Sequence, residues 1–277
     1  MTRPINAIIN LNNLKFNLEK LKGLTASKLI VVAKANAYGH DLVKCLKIFK
    51  IADGIAVLDL KDAIIIRKSG YKGLILLLEG FFKPSELTKI IYHEISPVIH
   101  SDSQVKILKK NSELNPKKVF IKFNSGMNRL GFDLSRHKEL LSFFQQKVSK
   151  KNIFFMTHFA DADNKRGIKW QLDKYRKEIN SEHELNTFSN SASVLSKPAL
   201  EQTWVRPGII CYGVSPFPQQ IAHDLGYKPV MKLSSKIIAL QNVKKGETVG
   251  YGSKFKSKSN LKIGVVACGY GDGYPRN

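Results

Sequence analysis

Short apolar, β-rich runs alternate with helix-period segments along most of this chain, and that alternation leaves few architectures open. The runs fall at about 29–34, 54–58, 73–78, 93–98, 118–123, 152–157, 185–189 and 203–206. Amphipathic stretches lie between them at 40–50, 59–69, 101–112, 133–148 and 166–180. The segment 133–148 opens on Asp133 and Ser135, residue types that suit a helix N-terminus. Eight strands with intervening helices predict an α/β fold, a parallel (β/α)8 TIM barrel. An open doubly wound sheet is the alternative, but no Gly-x-Gly-x-x-Gly follows the first strand.

After about residue 225 the pattern changes. Val230 to Gln241, Glu247 to Gly252 and Leu261 to Cys268 read as strands joined by polar, lysine-rich turns, with no helical segment between them. The expected organisation is a barrel domain over 1–226 and the start of an all-β domain over 227–277. The final turn, Gly271-Asp272-Gly273-Tyr274-Pro275, leaves the last strand without a successor, so the expectation is a β-domain cut short.

The chain of 277 residues carries a formal net charge of +23. All but eight of its 45 basic residues are lysine, and they are scattered with no aromatic-interleaved stripe. That reads as a solvated lysine-rich surface with no nucleic-acid partner. No uncharged apolar stretch is long enough for a membrane helix, and Met-Thr-Arg-Pro-Ile-Asn lacks the apolar core of a signal peptide. Cys45, Cys211 and Cys268 are odd in number and widely spaced, so they read as small hydrophobes in a reducing compartment. Neither a disulfide frame nor a metal site is expected, and the expected location is cytoplasmic.

Barrel enzymes carry their chemistry at the C-terminal ends of the strands. The first strand ends in Lys34, with Tyr38 four residues on. A lysine on a buried strand is costly unless its charge is paired or removed, and a Schiff base with an aldehyde is one use of such an amine. Alone it reads better as a lysine snorkelling out of a strand end. The fifth strand ends in Lys122, followed by a loop in which Gly126 and Gly131 bracket Arg129. Such a loop suits an anion or a plain surface arginine equally well. The sixth ends in His158, by itself more often a satisfied core histidine. The seventh ends in Ser189-Asn190-Ser191, an anion cradle or a simple helix cap. The eighth ends in Arg206-Pro207-Gly208-Ile209, another anion-facing turn. Phosphate sites in barrels often form after strands seven and eight, which pairs Ser191 with Gly208 and Ile209.

Taken together, the blocks VVAKANAYGHD, FNSGMNRLGF, THFADAD, SNSAS, VRPGIICYG, VGYGSKF and GYGDGYPRN resemble the alanine racemases over essentially the whole chain. The resemblance implies an isomerase that uses pyridoxal 5′-phosphate (PLP) to interconvert L- and D-alanine through an external aldimine, supplying D-alanine for peptidoglycan. It implies that Lys34 holds PLP and serves as one base, and that Tyr251 is the opposed base. In the family that tyrosine comes from the β-domain of a partner subunit, so a complete chain is expected as a homodimer. By the same resemblance Arg206 faces the pyridine nitrogen and His158 stacks on the ring. Tyr38, Ser191, Gly208 and Ile209 form the phosphate cradle. Arg129 lies near the phenolic oxygen and the substrate, and Lys122 matches a lysine that some members carbamylate. Asn124 and Ser125 stand where Asp and Thr are common in the family. Family members also continue past the last block with a Met-Asp segment and a further tyrosine. A non-catalytic PLP-binding barrel, as in PLP-homeostasis proteins, is the alternative, though such proteins end with the barrel.

Overall fold

The computed structural model describes residues 3–179 and 185–275. The last residue of the expected 166–180 helix and Arg276 and Asn277 of the final block lie outside that range. The chain divides into two compact units, residues 11–230 and residues 3–10 with 231–275.

In chain order the first unit begins, after strand β1 (Asn6–Ile9), with α1 (Leu11–Leu24). Then come β2 (Lys28–Val32), α2 (Lys34–Tyr38), α3 (Leu42–Phe49), β3 (Gly54–Val57), α4 (Leu60–Lys68), β4 (Leu74–Leu77), α5 (Pro84–Tyr92), β5 (Ser96–Ile99) and α6 (Asp102–Lys110). It continues with β6 (Val119–Lys122), α7 (His137–Gln145), β7 (Ile153–Met156), α8 (Lys169–Ile179), β8 (Asn186–Thr187), α9 (Ser191–Ser196) and β9 (Trp204–Val205). The strands β2 to β9 close into a barrel, with β9 returning to β2 through Lys28↔Trp204 and Leu29↔Val205. All eight expected strands are present, in parallel register around the ring. Apart from the Asn-Thr of β8, most of their residues are apolar on both faces because side chains alternate between the barrel lumen and the helical shell.

The lumen is filled by Ile30, Ala56, Leu76, Val98, Phe120, Phe154 and Trp204, with Val32 and Met156 above them. Phe120 stacks on Phe154 at 4.8 Å, and Phe154 meets Trp204 edge-on at 6.2 Å. Each fully buried side chain of this kind stabilises by about 1.5–3 kcal/mol. The lumen is therefore a packed plug, with a cavity above its C-terminal end.

Among the helices that went unread in the sequence are α1 and α5. In α1, Leu14, Leu18 and Leu21 recur at helical spacing and are fully buried, and Asn17 is buried with them. Its Nδ2 donates to Cys211 O (3.1 Å) and Lys228 O (2.8 Å), and its Oδ1 accepts from Lys228 N (2.9 Å). Those bonds fasten α1 to the segment after β9. In α5, Pro84 fills the first turn and Glu86 Oε2 accepts from Phe82 N at 2.7 Å, both ordinary helix-start signals.

The second unit is β throughout, with short 3₁₀ turns. β1 pairs antiparallel with β10 (Met231–Ser234), Asn6 opposite Ser234 and Ile9 opposite Met231. The sequence reading began the barrel domain at residue 1, whereas this pairing sets residues 3–10 with the β unit. β11 (Ile237–Val243) pairs with β14 (Leu261–Val266), and β12 (Thr248–Val249) with β13 (Phe255–Lys256). The expected single strand over 230–241 is thus two, separated at Ser235 and Lys236, each with its own partner. The expected strand at 247–252 is short, because a 3₁₀ turn begins at Tyr251.

Candidate active site

One cavity of about 500 Å³ opens above Val32 and Met156 at the C-terminal ends of the barrel strands. Nine of the ten singled-out residues line it: Lys34, Tyr38, Lys122, Arg129, His158, Ser191, Arg206, Gly208 and Ile209. The tenth, Tyr251, belongs to the β unit, where its side chain is 88% exposed.

Lys34 is not the buried strand residue the sequence suggested. β2 ends at Val32, and Lys34 opens the turn that follows, half-buried. Ala35, Asn36, Ala37 and Tyr38 have φ of 50°, 55°, 56° and 53°, so this short helix is left-handed. Residues with a Cβ pay roughly 1–2 kcal/mol each in that conformation. Backbone bonds close the turn, from Ala37 N to Ala33 O (3.1 Å) and from Gly39 N to Ala35 O (3.0 Å). Asn36 Oδ1 accepts from Leu42 N at 2.8 Å and joins the turn to α3. Strain held in place by its surroundings is typical of ligand-binding sites. The result is that Lys34 Nζ stands 5.8 Å from the centroid of the Tyr38 ring, with both groups on the cavity wall.

The ends of β8 and β9 meet at Ser191. Its Oγ accepts from Gly208 N at 2.9 Å and Ile210 N at 3.5 Å, leaving the hydroxyl hydrogen for donation. The helix cap is Asn190, whose Oδ1 accepts from Ser193 N at 3.1 Å, so Ser191 is not a simple cap. A Cβ on Gly208 would overlap the Tyr38 hydroxyl. Gly208, Ser191 and Tyr38 therefore crowd around one small polar hollow that only a residue without a side chain permits.

Arg206 is 3% exposed with no carboxylate partner among the described residues. Its Nη1 donates to Thr187 Oγ1, and its Nη2 to Thr157 O at 2.7 Å and His158 Nδ1 at 3.4 Å. Burial pulls its pKa down to about 9. Burial, then the charges of Arg206, Lys122, Arg129 and Lys34, hold His158 well below the usual histidine range, so the ring is neutral and Nδ1 accepts. Lys122 is 6% exposed. Burial and then Arg206 and Arg129 bring it down to about 8, against a small opposing pull from Glu79. Burial pushes the Tyr38 phenol up to about 12, so it remains a donor. A cavity with this excess of positive charge and hydroxyl donors suits a small dianion. The cradle and the unneutralised guanidinium fit a phosphorylated aromatic cofactor.

A buried amide that the sequence reading missed ties two parts of the site together. Gln171 of α8 is fully buried; its Nε2 donates to His158 O (3.0 Å) and Ser125 Oγ (3.1 Å), and its Oε1 accepts from Ala160 N (2.6 Å). Ser125 Oγ also meets Thr157 Oγ1 at 2.7 Å. Gln171 thus joins the end of β7, with His158, to the loop that carries Arg129. That loop closes on itself through Asn124, whose Oδ1 accepts from Gly126 N and Asn128 N, each at 3.0 Å. A lone Gln in an amphipathic helix gives no sequence signal of such a role.

Comparison with known proteins agrees with this geometry. Residues 9–216 match the family model "Alanine racemase, N-terminal domain", and residues 230–277 match "Alanine racemase, C-terminal domain". The second match sets aside a protein that consists of the barrel alone. A curated alanine racemase of Paraburkholderia phytofirmans is 40% identical over 100% of this chain and 78% of its own length. One from Burkholderia mallei is 41% identical over the same shares. The crystal structure of the biosynthetic alanine racemase from Pseudomonas aeruginosa matches with a TM-score of 0.94 at 34% identity, over 99% of this chain and 78% of that one. The alanine racemase of Acinetobacter baumannii matches with a TM-score of 0.91 at 36% identity, over 100% and 79%. With both domain models matched, and a cationic cavity at the C-terminal ends of the barrel strands, this chain belongs to the alanine racemase family.

Proposed function

We propose that this isomerase racemises alanine with two opposed bases, Lys34 and Tyr251, and with PLP in the barrel cavity. Tyr38, Ser191, Gly208 and Ile209 would hold the phosphate, His158 the ring face and Arg206 the ring nitrogen. Arg129 would meet the substrate side. When bound, PLP supplies an electron sink that acidifies the α-hydrogen of alanine. The observation that carries this reading is the convergence of those groups on one cavity at the strand ends.

Inverting a stereocentre requires a proton to leave one face of Cα and return to the other, and a single base does not reach both. Lys34 Nζ holds or releases a proton on the barrel side. The phenolic oxygen of Tyr251 serves the opposite side, from a second copy of the chain in a homodimer. The exposure of Tyr251 supports that assignment. Arg206 donates hydrogen bonds without surrendering a proton at neutral pH, which limits how far charge is drawn from the reacting carbon. Leu58, Leu78 and Met127 narrow the cavity with apolar surface and exclude water from the reacting carbon.

Lys122 would be the lysine that is carbamylated. An amine brought down to about 8 is partly neutral near physiological pH. Its lone pair can attack carbon dioxide, forming an N–C bond and releasing one proton. The resulting anion would sit among the charges of Arg206 and Arg129 and orient Arg129.

The test is conversion of L-alanine to D-alanine by the purified chain with added PLP. Turnover lost in both Lys34→Ala and Tyr251→Phe, with an absorbance band of bound cofactor that disappears only in Lys34→Ala, is the expected result. Turnover that survives Tyr251→Phe at the wild-type rate refutes the two-base assignment.

A further inference from the structure

Four consecutive residues with a Cβ do not hold a left-handed turn unaided, and the structure shows what lies against its far end. His40 is 6% exposed. Its Nδ1 lies 3.0 Å from Ala37 O and 2.9 Å from Tyr38 O. Both partners are carbonyls, so Nδ1 carries the hydrogen and donates to both. The other nitrogen, Nε2, is buried without a partner among the described residues, and burial holds the ring below the usual histidine range. The imidazole is thus a neutral ring with one defined tautomer. It lies 4.7 Å from the ring of Tyr212, and Tyr212 lies 4.9 Å from the ring of Tyr38. Tyr212 donates from its hydroxyl to Val32 O at 3.0 Å, two residues before Lys34.

We propose that His40 is a positioning residue. By donating from Nδ1 to the last two carbonyls of the left-handed turn, and by packing on Tyr212, which packs on Tyr38, it aims the Tyr38 hydroxyl into the hollow beside Gly208. Its role in cofactor affinity rests on the PLP reading above. Its role in the turn does not.

Two substitutions separate the donor from the ring. His40→Phe keeps an aromatic face for Tyr212 and removes the donor. His40→Asn places an amide N–H near the position of Nδ1. A charge-assisted bond from Tyr38 to a phosphate oxygen is worth roughly tenfold or more in affinity. His40→Phe is expected to raise the PLP dissociation constant of the apoprotein by about that factor, and His40→Asn to restore it to within about threefold. In a Tyr38→Phe background, His40→Phe should change the constant by less than about twofold, because the hydroxyl it aims is gone. An unchanged constant in His40→Phe, or effects that multiply in the double variant, would overturn the proposal.

Amide exchange in the apoprotein supplies a readout that needs no cofactor. Ala37 N and Gly39 N should exchange about tenfold faster in His40→Phe and not in His40→Asn. Equal exchange in the two variants refutes the clamp. A wild-type chain that bound no PLP would refute the cofactor reading, while the exchange experiment would still decide the clamp. Should His40→Phe fail to fold, His40→Gln, whose amide reaches toward Nε2 instead, makes the same comparison with His40→Asn; equal behaviour of Gln and Asn overturns the proposal.

Discussion

Replacing Lys122 with methionine should stabilise the barrel at neutral pH, and by an amount that falls to nothing at high pH. The ammonium is 6% exposed, faces Arg206 and Arg129, and titrates at about 8 in place of its ordinary 10.5. Between those values the unfolded chain still holds the proton that the folded chain has released. The free energy of unfolding therefore rises with pH from about 8 to 10.5. The gap corresponds to about 3 kcal/mol, a penalty borne in full below pH 8. Lys122→Met has similar length and no charge, so it should exceed wild type by about 3 kcal/mol at pH 7 and match it near pH 10.5. Arg206 shifts in the same direction in both proteins, so the difference between them isolates Lys122. Urea unfolding in CO2-free buffer, followed by tryptophan fluorescence, measures this directly. Both tryptophans, Trp170 and Trp204, lie in the barrel unit, so the signal reports that unit. A gap between the two proteins that stays constant with pH, or widens as pH rises, would refute the reasoning.

Two further outcomes follow from the packing around the cavity. Gly208→Ala should cost about 1–3 kcal/mol through overlap with the Tyr38 hydroxyl, and should weaken PLP binding about tenfold by displacing it; titration of the apoprotein checks the second, and affinity within about twofold of wild type would contradict it. Gln171→Leu should destabilise the barrel by about 2–4 kcal/mol, because it strips bonds from His158 O, Ser125 Oγ and Ala160 N together. Urea unfolding measures the loss, and a change under about 0.5 kcal/mol would show the amide to be dispensable.

The barrel was legible because burial on both faces leaves a simple mark, an uninterrupted apolar run. Leu29 to Val32 and Val119 to Ile121 carry it plainly. The candidate cradle residues were singled out by their placement at successive strand ends and by the resemblance, since each strand end alone suited a helix cap or a surface arginine equally well. What escaped depends on long-range partners. β1 reads as a short polar-apolar segment until Asn6 and Ile9 find Ser234 and Met231. Asn17 and Gln171 look like helix surface residues until a carbonyl from a distant segment arrives. The left-handed turn was hidden because only Asn36 of Ala-Asn-Ala-Tyr readily takes positive φ; the Asn36 bond to Leu42 N and the neighbours His40 and Tyr212 hold it there. The placement of Lys34 on the strand failed for the same cause, since the strand stops where that turn begins.

The pairing of β1 with β10 also has a consequence for synthesis. Strand β1 is made before its partner, which lies more than two hundred residues further along the chain. At roughly 5–20 residues per second, that is a wait of tens of seconds. All eight barrel strands precede Met231, so the barrel can close while β1 is still an unpaired edge. Until β10 is made, a nascent chain of this kind carries Ala7, Ile8 and Ile9 as a strand without its partner.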